Sequence, residues 1–158
     1  METTRHFTAT VYVVNREATV LHEHERLGMW LPPGGHIARD ELPHEAAIRE
    51  AREETGLAID LIQTAEGTRS QSARPLPPPA TLLLEDINVH DGQVGHQHID
   101  FIYFATTPTR QIDPDGEDEV RPEEWRWFTA AELAKDGRFD PDVRELGIEA
   151  IETSSTDS

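Results

Sequence analysis

Cysteine is absent from this chain of 158 residues. Its absence excludes a disulfide framework, a thiolate metal site and a cysteine nucleophile. Long apolar stretches are lacking as well. No run approaches the ~20 residues of a membrane-spanning helix, and no basic start leads into the apolar segment of a secretory signal. We therefore expect a soluble protein in the cytoplasm, with no membrane partner.

Positive charge is scarce. Lys135 is the only lysine, and the formal net charge is -17. The acidic residues are spread along the chain, and no cluster of lysine and arginine indicates a site for duplex DNA. Repulsion among scattered carboxylates weakens in concentrated salt, where the Debye length falls to about 3 Å at 1 M. A halophilic source is one hypothesis, and an ordinary acidic cytosolic enzyme is the other.

The length favours a single domain with one buried core. We place that domain in residues 1–151 and expect the polar segment 152–158 to be a disordered tail. No internal repeat or second domain is apparent.

Hydrophobic alternation predicts most of the strands. Residues 6–14 and 18–24 are separated by a short polar break and form a predicted hairpin. A strand is predicted at 57–62, with alternate apolar side chains on one face. An antiparallel pair is predicted at 81–89 and 98–106, on either side of the turn-forming His-Asp-Gly.

Helix signals are clearest from Pro43 to Thr55, where a proline suits the first turn and Gly56 suits the end. The preceding Trp-Leu-Pro-Pro-Gly-Gly, residues 30–35, is expected to stop regular structure. Residues 63–79 lack periodicity, and we expect a flexible loop on the substrate side.

The last quarter of the chain predicts a strand and two helices. A strand-like Trp-Arg-Trp-Phe at 125–128 precedes Thr129 and Glu132, whose spacing is that of a capping box. Asp140 followed by proline then begins a final helix. The apolar residues expected on one side of that helix are Val143, Leu146 and Ala150.

Like charges crowd the predicted helix at Pro43–Thr55. Glu50, Glu53 and Glu54 share one face, because positions three and four apart are neighbours. Such pairs cost about 0.2–0.5 kcal/mol each, so something should compensate. One interpretation is a solvated face laced with ion pairs, in which Arg49 bridges to Glu53.

A divalent cation held by the carboxylates is the other interpretation. Mg²⁺ takes hard oxygen ligands and favours phosphate-bearing partners. The loop before the helix supports this, because Gly34 and Gly35 allow the backbone to approach a ligand or metal closely.

Residues 35–57 resemble the Nudix box. The family pattern is Gly, five residues, Glu, seven residues, Arg-Glu, an apolar or small residue, any residue, Glu-Glu, any residue, Gly and an apolar residue. Every defined position matches, with a small Ala51 at the apolar place. The order of strands and helices around the box is also similar to that family. The resemblance implies the Nudix fold, an α/β/α sandwich with a central mixed sheet and a loop-helix-loop motif.

The resemblance also implies Mg²⁺ or Mn²⁺ held against a diphosphate. Glu50 and Glu54 match the main metal ligands, and the carbonyl of Gly34 completes the sphere. Glu53 matches a further ligand or the residue that orients the attacking water. Arg49 is similar to the orienting arginine that pairs with Glu53. Glu50, Glu53 and Arg49 are therefore the expected catalytic residues.

Three further box residues carry structural roles in the family. Glu41 anchors the loop, and Gly35 and Gly56 complete the motif. We also expect Gly35 and His36 to lie near the substrate.

Candidates outside the box are weaker. Alternation places His96, His98 and Asp100 on one strand face, where they would contact phosphate or metal. Nudix enzymes often recruit an acidic residue from outside the box, so Asp100 is a candidate base or ligand. For Trp30 we favour core packing beside the glycine loop, with stacking on a base as the alternative. His22 and His24 are further candidates for the same cleft.

Three function classes remain open. The preferred one is a metal-dependent hydrolase of a nucleoside diphosphate derivative. Its expected substrate is a nucleoside triphosphate or modified nucleotide, as for MutT-like enzymes, and the alternative substrate is ADP-ribose or a nucleotide sugar. The second is an isomerase on the same fold, which the lack of cysteine disfavours. The third is a non-catalytic nucleotide-binding module, which the intact glutamates disfavour. The expected partner is a small nucleotide, and a homodimer is an assembly to test.

The halophile hypothesis predicts a salt-dependent melting temperature. Screening of carboxylate repulsion should raise the midpoint between 0.1 M and 2 M KCl, as followed by circular dichroism. A midpoint that does not change across this series would sink the hypothesis.

Overall fold

The computed structural model describes residues 2–156, and their strands form one eight-stranded sheet. The strands are β1 Thr4–Asn15, β2 Ala18–His24, β3 Met29–Leu31, β4 Gly34–His36, β5 Asp60–Leu61, β6 Thr81–His90, β7 Gln93–Thr106 and β8 Trp125–Thr129. The helices are α1 Pro43–Thr55, α2 Ala130–Lys135 and α3 Pro141–Thr156, with a 3₁₀ turn at Pro122–Glu124.

The sheet is mixed, as predicted. Its central path runs β3-β2-β1-β7-β5, with β4 paired to β1, β6 to β7 and β8 to β2. Strands β1 and β7 are parallel along their length, and the other pairings are antiparallel. The parallel pair brings residues about 90 positions apart in sequence into one register, from Thr4 beside His96 to Val14 beside Thr106.

Helices cover both faces of the sheet. Because side chains alternate along a strand, Ala9 and Val11 of β1 pack on one face with the alanines of α1. Tyr12 and Val14 pack on the other face with Val143 and its neighbours on α3. This arrangement confirms the predicted α/β/α fold. No helix within residues 2–156 has the length and apolar content to cross a membrane.

Both predicted hairpins are present. The β1–β2 turn has Arg16 and Glu17 at φ 47° and 67°, and the β6–β7 turn has Asp91 and Gly92 at φ 51° and 76°. Two consecutive positive φ values match the type I′ turn that suits the twist of a hairpin. The second turn has the favoured Asp-Gly pair, whereas the first places two long side chains in the left-handed region.

The expectation that residues 30–35 lack regular structure is wrong. Only the two prolines are outside a strand, because β3 ends directly before them and β4 begins directly after them. The carbonyl of Pro33 accepts a hydrogen bond of 3.0 Å from the Val11 backbone N–H. Proline lacks a donor but keeps its acceptor, so the segment stays attached to β1.

The strand predicted at 57–62 shortens to β5. The Leu57 N–H bonds the Thr55 hydroxyl at 3.2 Å, and the carbonyl of Ala58 accepts from the Thr107 hydroxyl at 3.0 Å. These side-chain bonds take the place of ladder bonds. The expected apolar face is nevertheless present, because Leu57 and Ile59 pack into the α1 side of the core.

The predicted helices form, and one of them is longer than expected. The Thr129 hydroxyl accepts from the Glu132 N–H at 3.2 Å, and the Glu132 carboxylate accepts from the Thr129 N–H at 3.0 Å, completing the capping box. Helix α3 continues to Thr156, so the disordered tail expected from residue 152 is wrong as far as residue 156. Residues 157 and 158 lie outside the described residues. The loop at 63–79 contains no helix or strand, as predicted.

The β1–β2 turn generates a stability prediction. Replacing Arg16→Asn together with Glu17→Gly should raise the free energy of unfolding by about 1 kcal/mol, because both new residues tolerate positive φ. Urea denaturation measures the change. The matched control is Arg16→Ala with Glu17→Ala, which removes the same side chains but keeps both Cβ atoms. An equal gain in the two pairs would contradict a backbone cause.

Candidate active site

Arg49 ties the loop before α1 to the helix itself. Its Nε and Nη2 donate to the two oxygens of Glu41 at 2.8 and 3.0 Å. Nη1 donates to Glu50 Oε1 at 2.9 Å and to Glu53 Oε2 at 3.0 Å. Nη2 also reaches the carbonyl of His36 at 3.0 Å. The expected pairing of Arg49 with Glu53 and the anchoring position of Glu41 are both present in this geometry.

The arginine also sets the charge state of its partners. The hydrogen bonds that Arg49 donates to Glu41 lower the pKa of the Glu41 carboxyl and raise the pKa of Arg49 above its usual range. Both side chains therefore stay ionised throughout the range in which the protein would work. A planar guanidinium bound at two edges is held in one orientation.

Two glycines allow β4 to approach the helix carboxylates. The Gly34 N–H donates to Glu54 Oε2 at 3.1 Å. A Cβ atom at Gly35 would overlap the carboxyl carbon of Glu50 at 2.7 Å, so only glycine permits this contact. The fold thus brings the box glycines and box glutamates together, although they are separated along the chain.

Burial and mutual repulsion destabilise the ionised carboxylates on α1. Burial and then the charge of Glu50 raise the pKa of Glu54 to about 8, against the lowering effect of the Gly34 N–H. Burial likewise raises the pKa of Glu50, against the effect of Arg49. A bound cation would remove this penalty, since an opposite charge favours the ionised form.

Glu119 joins this cluster from outside the box. The Gly116 N–H donates to the carbonyl of Glu53 at 2.9 Å, which docks the 113–120 loop on the end of α1. Burial and the neighbouring Glu53 raise the pKa of Glu119, and its charge in turn raises the pKa of Glu50 and Glu54. Sequence analysis missed Glu119, because nothing in an acidic loop distinguishes one glutamate from its neighbours.

The donor set suits a hard divalent cation. Carboxylate oxygens of Glu50 and Glu54 and the backbone oxygen of Gly34 are the ligand types that Mg²⁺ and Mn²⁺ prefer. Within residues 2–156 no three histidine, aspartate or glutamate side chains converge on one point. A single nitrogen of Arg49, Nη1, donates to both Glu50 and Glu53, so each of these carboxylates keeps one oxygen that the arginine does not bind.

Asp100 lies away from the carboxylate cluster. It is 3% exposed on the α3 side of the sheet, and its Oδ2 accepts from the Thr10 hydroxyl at 2.8 Å. Its Oδ1 has no hydrogen-bond partner among the described residues. Burial and then Asp100 raise the pKa of Glu85. Thr10 pairs with Gly34 across the sheet, and Thr8 pairs with both Asp100 and His36, so Asp100 is connected to β4 through two residues of β1.

Four histidines form a cluster beside the loop, which we call the histidine cluster: His6, His36, His96 and His98. The ring centres lie 5.3 Å apart for His6 and His36, 4.6 Å for His6 and His96, 5.3 Å for His36 and His98, and 5.1 Å for His96 and His98. Burial and the neighbouring imidazoles of His36 and His96 lower the pKa of His98. The sequence predicted three of these rings and missed His6.

The other candidates lie elsewhere. His22 contacts Trp125, with ring centres 4.5 Å apart, and its ring lies 6.5 Å from that of His24 on the same strand. Neither histidine belongs to the histidine cluster. Trp30 is 7% exposed and packs edge-on against Phe128 at 5.2 Å. The interpretation of Trp30 as a core residue is therefore confirmed, because the indole belongs to the hydrophobic core on the α3 side of the sheet.

A family model described as the NUDIX domain matches residues 4–147. The chain belongs to the Nudix hydrolase family. A Nudix family hydrolase from Clostridium perfringens has the same fold, with a TM-score of 0.76 and 31% identity over 94% of this chain and 97% of that one.

Curated relatives of this Nudix protein match a smaller part. An RNA pyrophosphohydrolase of Hahella chejuensis is 30% identical over 100 residues, which are 63% of this chain and 60% of the relative. An asymmetrical bis(5'-nucleosyl)-tetraphosphatase of Rattus norvegicus is 29% identical over 93 residues, which are 57% of this chain and 63% of the relative. The chain thus spans about three fifths of the length of these curated relatives.

The Glu85–Asp100 pair predicts a pH-dependent stability. The folded state keeps a proton on Glu85 at pH values where the unfolded chain has lost it, so stability should fall as pH rises above about 4.3. Glu85→Gln keeps the shape and removes this titration. The variant should lose less stability than the parent between pH 5 and pH 8, as measured by urea denaturation. Glu152→Gln, at an exposed site, is the control, and equal losses in all three proteins would contradict the assignment.

Proposed function

We propose that the protein is a metal-dependent hydrolase that cleaves the P–O–P linkage of a nucleoside diphosphate derivative, using Mg²⁺ or Mn²⁺. The observation that carries this proposal is the contact of Gly34 and Gly35 with the carboxylates of Glu54 and Glu50. Buried carboxylates with raised pKa values, beside backbone oxygens, form a site whose charge needs a cation.

The chemistry follows from the donor set. A divalent ion held there would neutralise charge on the phosphate oxygens and make the attacking water more acidic. Glu50, Glu54 and the Gly34 carbonyl are the proposed ligands. Glu53 orients the attacking water or accepts its proton, and Arg49 fixes the position of Glu53.

Glu119 extends the proposed site beyond the box. It approaches the α1 carboxylates from a separate loop, so it serves as the additional acidic ligand or base that we first sought in Asp100. Asp100 keeps a weaker proposed role in substrate positioning, through Thr10 and the catalytic loop.

A nucleoside triphosphate or modified nucleotide is the proposed substrate class. Both curated relatives described above are named for the hydrolysis of phosphate linkages next to a nucleoside or an RNA. ADP-ribose and nucleotide sugars are the alternative, and a non-catalytic nucleotide-binding module is the alternative of another class.

Three substitutions test the proposed roles of the carboxylates. Glu50→Gln, Glu53→Gln and Glu119→Gln should each lower kcat by about 100-fold or more, since each removes a carboxylate from the metal or the attacking water. Release of phosphate and of pyrophosphate from ATP and from modified nucleoside triphosphates measures the rate. Products formed in ¹⁸O-labelled water show which phosphorus is attacked.

Glu117→Gln is the matched control, because Glu117 is an exposed acid of the same loop as Glu119. The melting temperatures of Glu50→Gln and Glu119→Gln in metal-free buffer should not fall, since burial and neighbouring carboxylates disfavour the ionised form that each variant removes. Near-normal turnover in Glu50→Gln and Glu53→Gln would refute the catalytic assignment. Turnover that persists in excess chelator would refute the metal requirement.

A further inference from the structure

The histidine cluster is an unusual concentration of one residue type. Four of the eight histidines in the chain form a closed ring of edge-to-face contacts, with centres 4.6 to 5.3 Å apart. They come from three neighbouring strands, β1, β4 and β7. His6 and His36 are exposed, so the ring opens to solvent and is not part of the core.

The ring nitrogens of this cluster have few partners within the protein. His96 Nδ1 lies 2.8 Å from the Thr4 hydroxyl. Among the described residues, the side chains of His6, His36 and His98 make no hydrogen bond. Each imidazole carries at least one N–H donor, so the cluster presents several donors to whatever lies above it.

The position of the cluster relates it to the proposed metal site. Along β4, Gly35 faces Glu50 of α1, and the neighbouring His36 faces the opposite side of the strand and joins the cluster. Within residues 2–156, β4 pairs only with β1, so its other edge is open and a phosphate chain at Gly34 can pass around that edge to His36 on the opposite face. The cluster offers donors that the protein itself leaves largely unbonded, whereas Arg49 already binds three carboxylates and a carbonyl.

A cleft beside the cluster has the features of an anion site. It has a volume of about 330 Å³ and is lined by Arg5, His6, Phe7, His36 and Ile37. Arg5 supplies a positive charge, and Phe7 is 57% exposed, which is unusual for a large apolar ring. The Phe7 ring contacts Phe101, with ring centres 6.1 Å apart, and its exposed part forms an apolar wall of the cleft.

Anion binding fits the cluster better than metal binding does. The rings stand at 69° to 89° to one another, and within residues 2–156 no three potential ligands converge on one point. Donors spread over a surface suit the several oxygens of a phosphate chain. In a chain of net charge -17, a polyanionic substrate also needs a local surface that does not repel it.

We propose that the histidine cluster binds the phosphate groups beyond the cleaved linkage, so that the enzyme prefers substrates with three or more phosphates in a row. This inference rests on the proposed function and narrows its substrate class. It assigns His6 and His96 as binding residues and disfavours ADP-ribose, whose two phosphates would be held at the metal site alone.

Three adenosine compounds that differ in phosphate number test the preference. The wild-type kcat/KM should increase from ADP-ribose to ATP to adenosine 5′-tetraphosphate. In His6→Ala and in His96→Ala the KM for the tetraphosphate should rise about tenfold, the usual effect of losing a hydrogen bond to a charged group, with kcat within about twofold. The ratio of kcat/KM for tetraphosphate over ADP-ribose should fall by a similar factor.

His90→Ala is the matched control, because His90 is an exposed histidine of β6 outside the cluster. It should leave the ratio as in the wild type. A wild-type enzyme without preference for longer phosphate chains, or cluster variants with an unchanged ratio, would overturn the inference and leave the proposed function standing.

A binding measurement separates this inference from the proposed function. In the Glu53→Gln background, calorimetry with inorganic tripolyphosphate and Mg²⁺ should give a Kd about tenfold or more weaker when His6→Ala and His96→Ala are added. An unchanged Kd would overturn the inference, whatever the activity of the wild type. A wild type that cleaves none of the three nucleotides would refute the proposed function. Circular dichroism checks that the variants fold.

Discussion

The ion-pair network of Arg49 is the constraint on which the site depends. A single guanidinium reaches the loop through Glu41 and the His36 carbonyl, and reaches the helix through Glu50 and Glu53. It is partly buried, so these bonds are screened less than those of a surface pair. Without it, the loop and helix would carry carboxylates that repel one another, and the glycines of β4 would have no fixed partner.

Strand alternation divides the site between the two faces of the sheet. Gly35 pairs with Ala9 and faces α1, whereas His36 pairs with Thr8 and faces the other side. One short strand thus connects an acidic face, suited to a cation, with an imidazole face, suited to an anion. The parallel register of β1 and β7 sets His6 beside His98 and completes the second face.

Much of the fold could be predicted from local patterns. The α1 helix, the two hairpins and the Thr129–Glu132 capping box depend on neighbours in sequence, and each was found as predicted. The errors came where distant contacts decide the outcome. The Thr107 hydroxyl, 49 residues away, bonds Ala58 in place of a strand partner, and pairing with β1 extends regular structure up to the prolines.

The sequence by itself determined the family, through the match of residues 35–57 to the Nudix box, and it determined the helix at Pro43–Thr55. The 3.6-residue period of that helix places its glutamates on one face. Only the tertiary structure decided which distant groups join them. Glu119 approaches the α1 carboxylates from a loop, and His6 joins the histidine cluster through the parallel strand pairing. Trp30 lies in the core. Sheet register and loop docking set these contacts, and neither leaves a signal in the spacing of one segment.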